Sequence, residues 1–376
     1  MSKLKVVSIF IALSLVFASA LGAAWTTKRL TNNSGWSYNP RIAVNGANIY
    51  VVWYDNTPGN YEIYFRKSLD GGATWQTAMN LSNNADDSYC PAIAVSAANI
   101  YVAWHDWTPG NAEIFFRKSS DGGATWQAAK RLTNNSGSSY RPAIAVSGAN
   151  VYVAWDDNTP GNYEIYSRKS ADDAATWQAA KRLTNNTGGS FASAIAVSGA
   201  NILLTWSDDT PGDSEIYFRK SADDGTTWQP SKRITNNAGN SANPSIASKN
   251  STIYIAWHDM TPGNPEIFFR KSVDGGATWQ DATRLTNNSG NSQNPSIWGN
   301  DAIVFVAWHD DTPGNPEIFI RKSPDGGAIW QSAQRLTNTS NLSYEPRIAA
   351  NNSNVYVVWE DCTPGNYEIY LKYSPL

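Results

Sequence analysis

The chain has 376 residues, a formal charge of −3 and only 16% charged residues, alongside 17 tryptophans and 18 tyrosines. So weak and slightly acidic a charge balance argues against nucleic acid or an anionic membrane surface as a partner, because both are bound through clustered cations.

The first element is a leader. Lys3 and Lys5 precede an apolar run from Val6 to Leu21 and the small residues Gly22, Ala23 and Ala24, the layout of a secretory signal peptide. Residues 1–23 are expected to be removed, which takes two lysines away and leaves a domain of residues 24–376 with a formal charge of −5. The competing reading is an uncleaved anchor, since the run approaches the ~20 residues of a spanning helix; the small residues favour cleavage. No second run of that length follows, so no membrane insertion is expected afterwards. The implied localisation is secreted, extracellular or associated with the cell envelope.

From there on the chain repeats. Trp-x-Asp-x-Thr-Pro-Gly starts at Trp53, Trp104, Trp155, Trp206, Trp257, Trp308 and Trp359, always 51 residues apart. A fixed period of that size signals a stacked or ring-shaped array whose units cannot cover their own apolar faces. In the first copy four runs read as strands: Pro40 to Val44, Ile49 to Tyr54, Glu62 to Ser68 and, after a turn, Trp75 to Leu81. Ile49, Tyr50, Val51, Val52 and Trp53 are apolar on both faces, as a strand sandwiched between neighbouring sheets requires. Four strands per repeat is the unit of a propeller blade.

The last copy stops after its third strand, and Trp25 to Thr31 match the missing fourth. The fold expected is all-β: a seven-bladed β-propeller of four-stranded antiparallel blades, its ring closed by the N-terminal strand joining the last blade. Cys90 and Cys362 occupy different repeat positions. A bridge between them is not the favoured reading, and no metal-ligand spacing surrounds either.

Between the third and fourth strands each of the first six copies carries Ser-x-Asp-x-Gly-x-Thr-Trp or a variant, as in Ser68, Asp70, Gly72, Thr74 and Trp75. This resembles the Asp-box, or bacterial neuraminidase repeat, of sialidase-like propellers. Ile329 replaces the threonine of one copy, and Ala174 the glycine of another. Asp70, Asp121, Asp172, Asp223, Asp274 and Asp325 are expected to be structural, since a residue needed in every blade does not define one active site. The resemblance implies that the Asp-boxes lie opposite the ligand face. That face would then carry the Thr-Pro-Gly-Asn loops and the Asn/Ser-rich loops ahead of each first strand.

Residues that break the repeat are the candidates for chemistry. Arg41, Arg141 and Arg347, from blades one, three and seven, with Tyr38 and Glu345 beside them, form a catalytic candidate set: an arginine cluster that binds an anion, with a tyrosine. Scattered surface arginines are the favoured alternative. Sialidases as a family use three arginines, a tyrosine nucleophile with its glutamate, and an aspartate acid/base. Their Phe/Tyr-Arg-Ile-Pro motif is present here only as the reordered Tyr38-Asn39-Pro40-Arg41-Ile42, and they are usually six-bladed.

A second set reads as ligand-binding: Trp36 and Trp107, with Asp55, Asp106, Asn60 and Asn111 of the repeated loops, would offer stacking faces and hydrogen bonds to sugars. Arg66 and its equivalents are expected to pair with Glu62 or Asp55. His105, His258 and His309 stand at the variable position of Trp-x-Asp, which is expected to face solvent, and no metal site or cofactor is expected. The preferred function is a non-catalytic binding propeller for glycans or cell-surface proteins. A sialidase-type exo-glycoside hydrolase and a structural envelope protein remain as alternatives.

Overall fold

A computed structural model describes residues 24–376, so the leader expected over residues 1–23 lies outside the described residues. Seven four-stranded antiparallel sheets follow one another. In the first blade the strands run, from the central channel outwards, Ser37–Asn45, Asn48–Asp55, Glu62–Ser68 and Met79–Asn80. The innermost strand starts earlier than the sequence suggests. The outermost shrinks to two residues because the Asp-box turn continues past its tryptophan, with Gln76 N–H donating to the Lys67 carbonyl at 3.0 Å.

The second strand shows why the blades need each other. Ile49, Val51 and Trp53 pack with Tyr356, Val358 and Ile369 of the seventh blade, whereas Tyr50 and Val52 pack with Ile100, Val102 and Trp104 of the second. Alternation with period two therefore buries both faces, and all five residues are at most 1% exposed. The repeated tryptophans form the core, as their repetition implies.

The ring closes where the sequence places the closure. Thr26–Arg29 pairs with the third strand of the last blade, in register from Thr26↔Tyr373 to Arg29↔Tyr370. Such closure removes exposed strand edges.

The Asp-boxes are staples. Thr74 donates to Asp70 from its N–H at 2.9 Å and its hydroxyl at 2.6 Å, while Ser68 Oγ donates to the same carboxylate at 2.7 Å. Gly72 holds φ +95 beneath this turn, and in the third copy Ala174 adopts φ 65 at the corresponding place. The box tryptophan packs on the preceding blade: Trp126 meets Phe65 edge-on at 5.0 Å.

The third-strand arginines differ from expectation. Arg117 Nη1 donates to the Leu81 carbonyl of the preceding blade at 2.5 Å and its Nε to Gln127 O at 2.7 Å, and Arg66 does the same with Leu30 and Gln76. The repeated glutamate pairs instead with the outer-strand arginine, Arg131 to Glu113 at 2.8 Å. Carbonyls of a neighbouring blade are invisible in a residue pattern, whereas the acids of the same repeat are in plain view.

Candidate functional site

The innermost strands each carry a bulge near their start, on the end of the propeller opposite the Asp-boxes; in the first blade the register slips between Tyr38 and Arg41. At each bulge one residue adopts a left-handed backbone: Asn39, Cys90, Arg141, Ala192, Asn243, Asn294 and Glu345, all with φ between 46 and 54. Non-glycine residues in this region cost on the order of 1–3 kcal/mol, and the side chain they present is commonly the reason. Here the backbone is the same in every blade and the side chain is not. These positions line a channel-mouth cavity of about 470 Å³, together with Arg41, Arg347 and Ser245 two residues further along their strands.

The variable residue of Trp-x-Asp turns out to serve this ring, a correction to its expected exposure. His105, Asp156, Ser207, His258, His309 and Glu360 are all buried. Each sits at the end of its second strand, facing the bulge of the following blade. Glu360 Oε2 accepts the Asn39 N–H at 2.6 Å, Asp156 Oδ2 that of Ala192 at 3.2 Å, and Ser207 Oγ that of Asn243 at 3.2 Å.

The charges are arranged asymmetrically. Arg141 Nε donates to Asp156 at 2.6 Å, and Arg347 Nη2 to Glu345 at 2.7 Å. Asn243 Nδ2 donates to Asn294 Oδ1 at 2.6 Å, and Asn294 in turn to Glu345. Arg41 has only a backbone partner, Pro40 O at 3.1 Å, and no ion pair among the described residues. Burial, with Arg347 alongside, pulls its pKa down to about 10, so it stays charged at neutral pH.

Glu345 is driven upwards by burial but held below its ordinary value by Arg347, Arg41 and His309. Glu360 moves the other way, up to about 8, through burial and then the Glu345 charge. Burial keeps His105 and His258 neutral, both near 4. Burial pushes Asp156 upwards against the pull of Arg141. Of the three guanidinium groups at the mouth, Arg141 and Arg347 are paired with Asp156 and Glu345 and Arg41 has no ion pair among the described residues, while Glu360 is largely protonated at neutral pH.

Glu360 has a consequence for stability. Between its ordinary value of 4.5 and about 8 the folded chain keeps a proton that the unfolded chain has released, so stability falls as pH rises through that window. Glu360→Gln is expected to flatten this fall and to raise the melting temperature at about pH 8. Melting curves across that window check it, and an unchanged slope would assign the pH dependence to another group.

Of the second candidate set, Asp106 is buried and spent on the loop. It accepts from Trp104 Nε1 at 2.9 Å, Ser88 Oγ at 2.9 Å, Asn84 Nδ2 at 2.6 Å and the Thr108 N–H at 2.9 Å. Asp55 does the same work in the first blade, accepting from Ser37 Oγ at 2.6 Å and Asn33 Nδ2 at 2.7 Å. Asn60 and Asn111 donate to Glu62 and Glu113 at 3.0 and 3.1 Å. Trp36 and Trp107 remain exposed.

Asp106→Ala is thus expected to destabilise the protein by about 1–3 kcal/mol for each buried donor left unpaired, and Trp107→Ala by about 0.5 kcal/mol or less. Denaturant unfolding of the two variants distinguishes the loop-holding residue from the exposed one.

Cys90 and Cys362 are both free thiols, Cys90 lining the channel. Among the described residues no group of three or more His, Cys, Asp or Glu is placed to hold a metal ion, and no helix is long and apolar enough to cross a membrane. The bulge column and the buried acids Asp156 and Glu360 were missed at the level of sequence. The signal available was the column itself: Asn, Cys, Arg, Ala, Asn, Asn and Glu at one position of an otherwise uniform repeat.

Seven blades around a channel, six of them carrying an Asp-box or a close variant, make this a sialidase-like β-propeller. The fold resembles that of phage phi92 endosialidase, with a TM-score of 0.59 at 10% identity over 94% of this chain and 69% of that one. It also resembles Trypanosoma rangeli sialidase in complex with sialic acid, with a TM-score of 0.57 at 13% identity over 94% of this chain and 59% of that one. This chain therefore spans under two thirds of the trypanosomal enzyme's length. The alpha-L-arabinofuranosidase of Fusarium graminearum, solved with arabinobiose, gives a TM-score of 0.52 at 13% identity over 77% and 93% of the two chains. At these identities the likeness is one of fold. The chain belongs to the BNR repeat-like domain family, whose profile matches residues 151–357. No match is found among curated proteins.

Proposed function

We propose that this protein is an exported glycan-binding propeller that takes its ligand at the channel mouth, on the face opposite the Asp-boxes, without cleaving it. The observation that carries this reading is the bulge ring. Seven copies of one strained backbone present seven independently varied side chains to one cavity, which is what recognition by a rigid scaffold requires. The mouth suits a polar ligand with an anionic group, since Arg41 has no ion-pair partner among the described residues while asparagines, a serine and a thiol line the same cavity. Arg141 and Arg347 are already committed to Asp156 and Glu345, which favours binding over a three-arginine carboxylate clamp. The apolar leader with its small-residue end supports export.

A glycoside hydrolase is the second reading, and Glu360 is the group that favours it, because a carboxyl largely protonated at neutral pH is equipped to act as a general acid. A glycan array probed with the domain from Ala24 onwards, with hydrolysis of a fluorogenic sialoside measured on the same preparation, separates the two. Binding without turnover is the expected result. Turnover that disappears in Glu360→Gln would replace it with the hydrolase, and a blank array would remove the glycan reading.

A further inference from the structure

We infer that the ligand is a chain and not a single terminal sugar: a linear oligosaccharide that crosses the channel mouth along an aromatic arc running from the seventh blade to the third. This rests on the channel-mouth reading above and extends it. Rings follow one another in contact. Tyr367 lies 4.9 Å from Tyr38, Tyr38 6.3 Å from Tyr61, and Tyr61 5.2 Å from Tyr89. Through His105 the series reaches Tyr140 and then Tyr163, in steps of 5.6, 5.3 and 6.1 Å. Trp36 and Trp107 flank it at 6.0 Å from Tyr38 and 6.1 Å from Tyr140, and are 48% and 36% exposed.

The connected series covers one side of the ring, and a separate pair, His309 and Tyr344, 5.0 Å apart, stands between the sixth and seventh blades. Where the first three blades have Tyr38, Tyr89 and Tyr140, the next three have Phe191, Ala242 and Gln293. Where Tyr61 and Tyr163 stand, blades four to six have Ser214, Pro265 and Pro316. The scaffold is the same in all seven blades, so packing does not demand the tyrosines.

Arc and cavity are one surface, because Tyr38, Tyr89 and Tyr140 directly precede the bulge residues Asn39, Cys90 and Arg141. A ligand group held at Arg41 thus lies beside Tyr38, the second ring of the series, with Tyr367 on one side of it and Tyr61 through Tyr163 on the other.

The chemistry of the arc selects its occupant. His105 is buried and links Tyr89 to Tyr140, while the rings that reach the surface are tyrosine and tryptophan, so each stacking face carries a polar edge; Tyr89, for one, donates to Asp87 at 2.8 Å. Such faces match sugar rings, which are apolar on one side and hydroxylated at the rim, better than they match an aliphatic protein interface. The rings also brace one another, so little side-chain freedom is lost on binding.

The test is affinity against chain length. Two graded series serve as probes, each of one to six residues: α2,8-linked oligosialic acid, which is acidic, and arabino-oligosaccharide, which is neutral. In at least one series affinity is expected to rise about tenfold or more from monomer to tetramer, in line with the worth of added aromatic contacts. Trp36→Ala and Trp107→Ala should each cost tetramer affinity far more than monomer affinity, with melting temperature in place, and Trp36→Tyr should retain the gain. Affinity independent of length, a gain that survives both alanine variants, or no binding in either series overturns the chain reading. With a positive glycan array the channel-mouth reading survives that outcome; with a blank array both fall together.

Discussion

A chain that starts at Asn32 instead of Ala24 is expected to lose most of its stability, although it gives up only eight residues. Those residues supply the fourth strand of the seventh blade. Leu30 is 1% exposed and donates its N–H to Ile369 O at 2.7 Å, and Thr31 Oγ1 accepts the Ile369 N–H at 2.8 Å. Arg29 is the ion-pair partner of the buried Glu368, at 3.0 Å. Burial of one leucine is worth about 1.5–3 kcal/mol, and a buried carboxylate that loses its partner costs about 3–5 kcal/mol. Set against a typical margin of 5–15 kcal/mol, the truncation leaves little. It also opens the ring, so that unfolding can start from a free blade, as it does in linear repeat arrays. Thermal unfolding of the two chains decides the matter. Equal melting temperatures would mean that the ring does not depend on this strand.

Arg41→Ala is expected to cost the largest part of ligand affinity while leaving stability little changed. Arg41 has no ion-pair partner among the described residues, and Arg347 is the charge that most strongly disfavours its protonation. Removing it therefore breaks no ion pair, and the relief of the like-charge contact with Arg347 is set against the lost attraction to Glu345, so stability changes little. Losing a desolvated charge contact to the ligand costs on the order of 2–5 kcal/mol. Arg41→Lys should recover only part of this, because a guanidinium fork grips a carboxylate or sulfate through paired donors. The pH profile has a definite sign: ionisation of Glu360 near pH 8 places a negative charge beside Arg41, so binding of an anionic ligand weakens above that pH. Affinity for the array-positive glycan, measured with melting curves on the same variants, gives the answer, and undiminished affinity in Arg41→Ala would move the site away from the channel.

Most of the fold was legible because it is written seven times. The spacing of Trp-x-Asp, the two-faced apolar run and the split last blade each fix a physical requirement, and together they allow one architecture. The site was legible only in part. Arg41, Arg347 and Glu345 stand out as departures from the repeat and do come together at the channel mouth. The bulge, however, carries no glycine to flag its left-handed backbone, since Asn39, Cys90 and Ala192 all adopt it without one. Asp156 and Glu360 were hidden for a related reason. A position that accepts Tyr, His, Asp, Ser and Glu looks unconstrained, yet it varies because each copy faces a different neighbour across the blade boundary. Asp55 and Asp106 misled in the opposite direction: acids in a surface loop look available, but their oxygens hold the loop together.

The bulge ring separates where a side chain points from what that side chain is. Ala192 and Glu345 sit on the same backbone with φ of 54 and 51, so the seven positions are interchangeable sockets around an axis. Moving the Glu345–Arg347 pair and its Asn294 neighbour one blade onward would rotate the charge pattern by one seventh of a turn relative to the aromatic arc, with the scaffold unaltered. Specificity in such a molecule is set by angular arrangement, and it can be re-specified by permuting residues among the blades, without designing new loops.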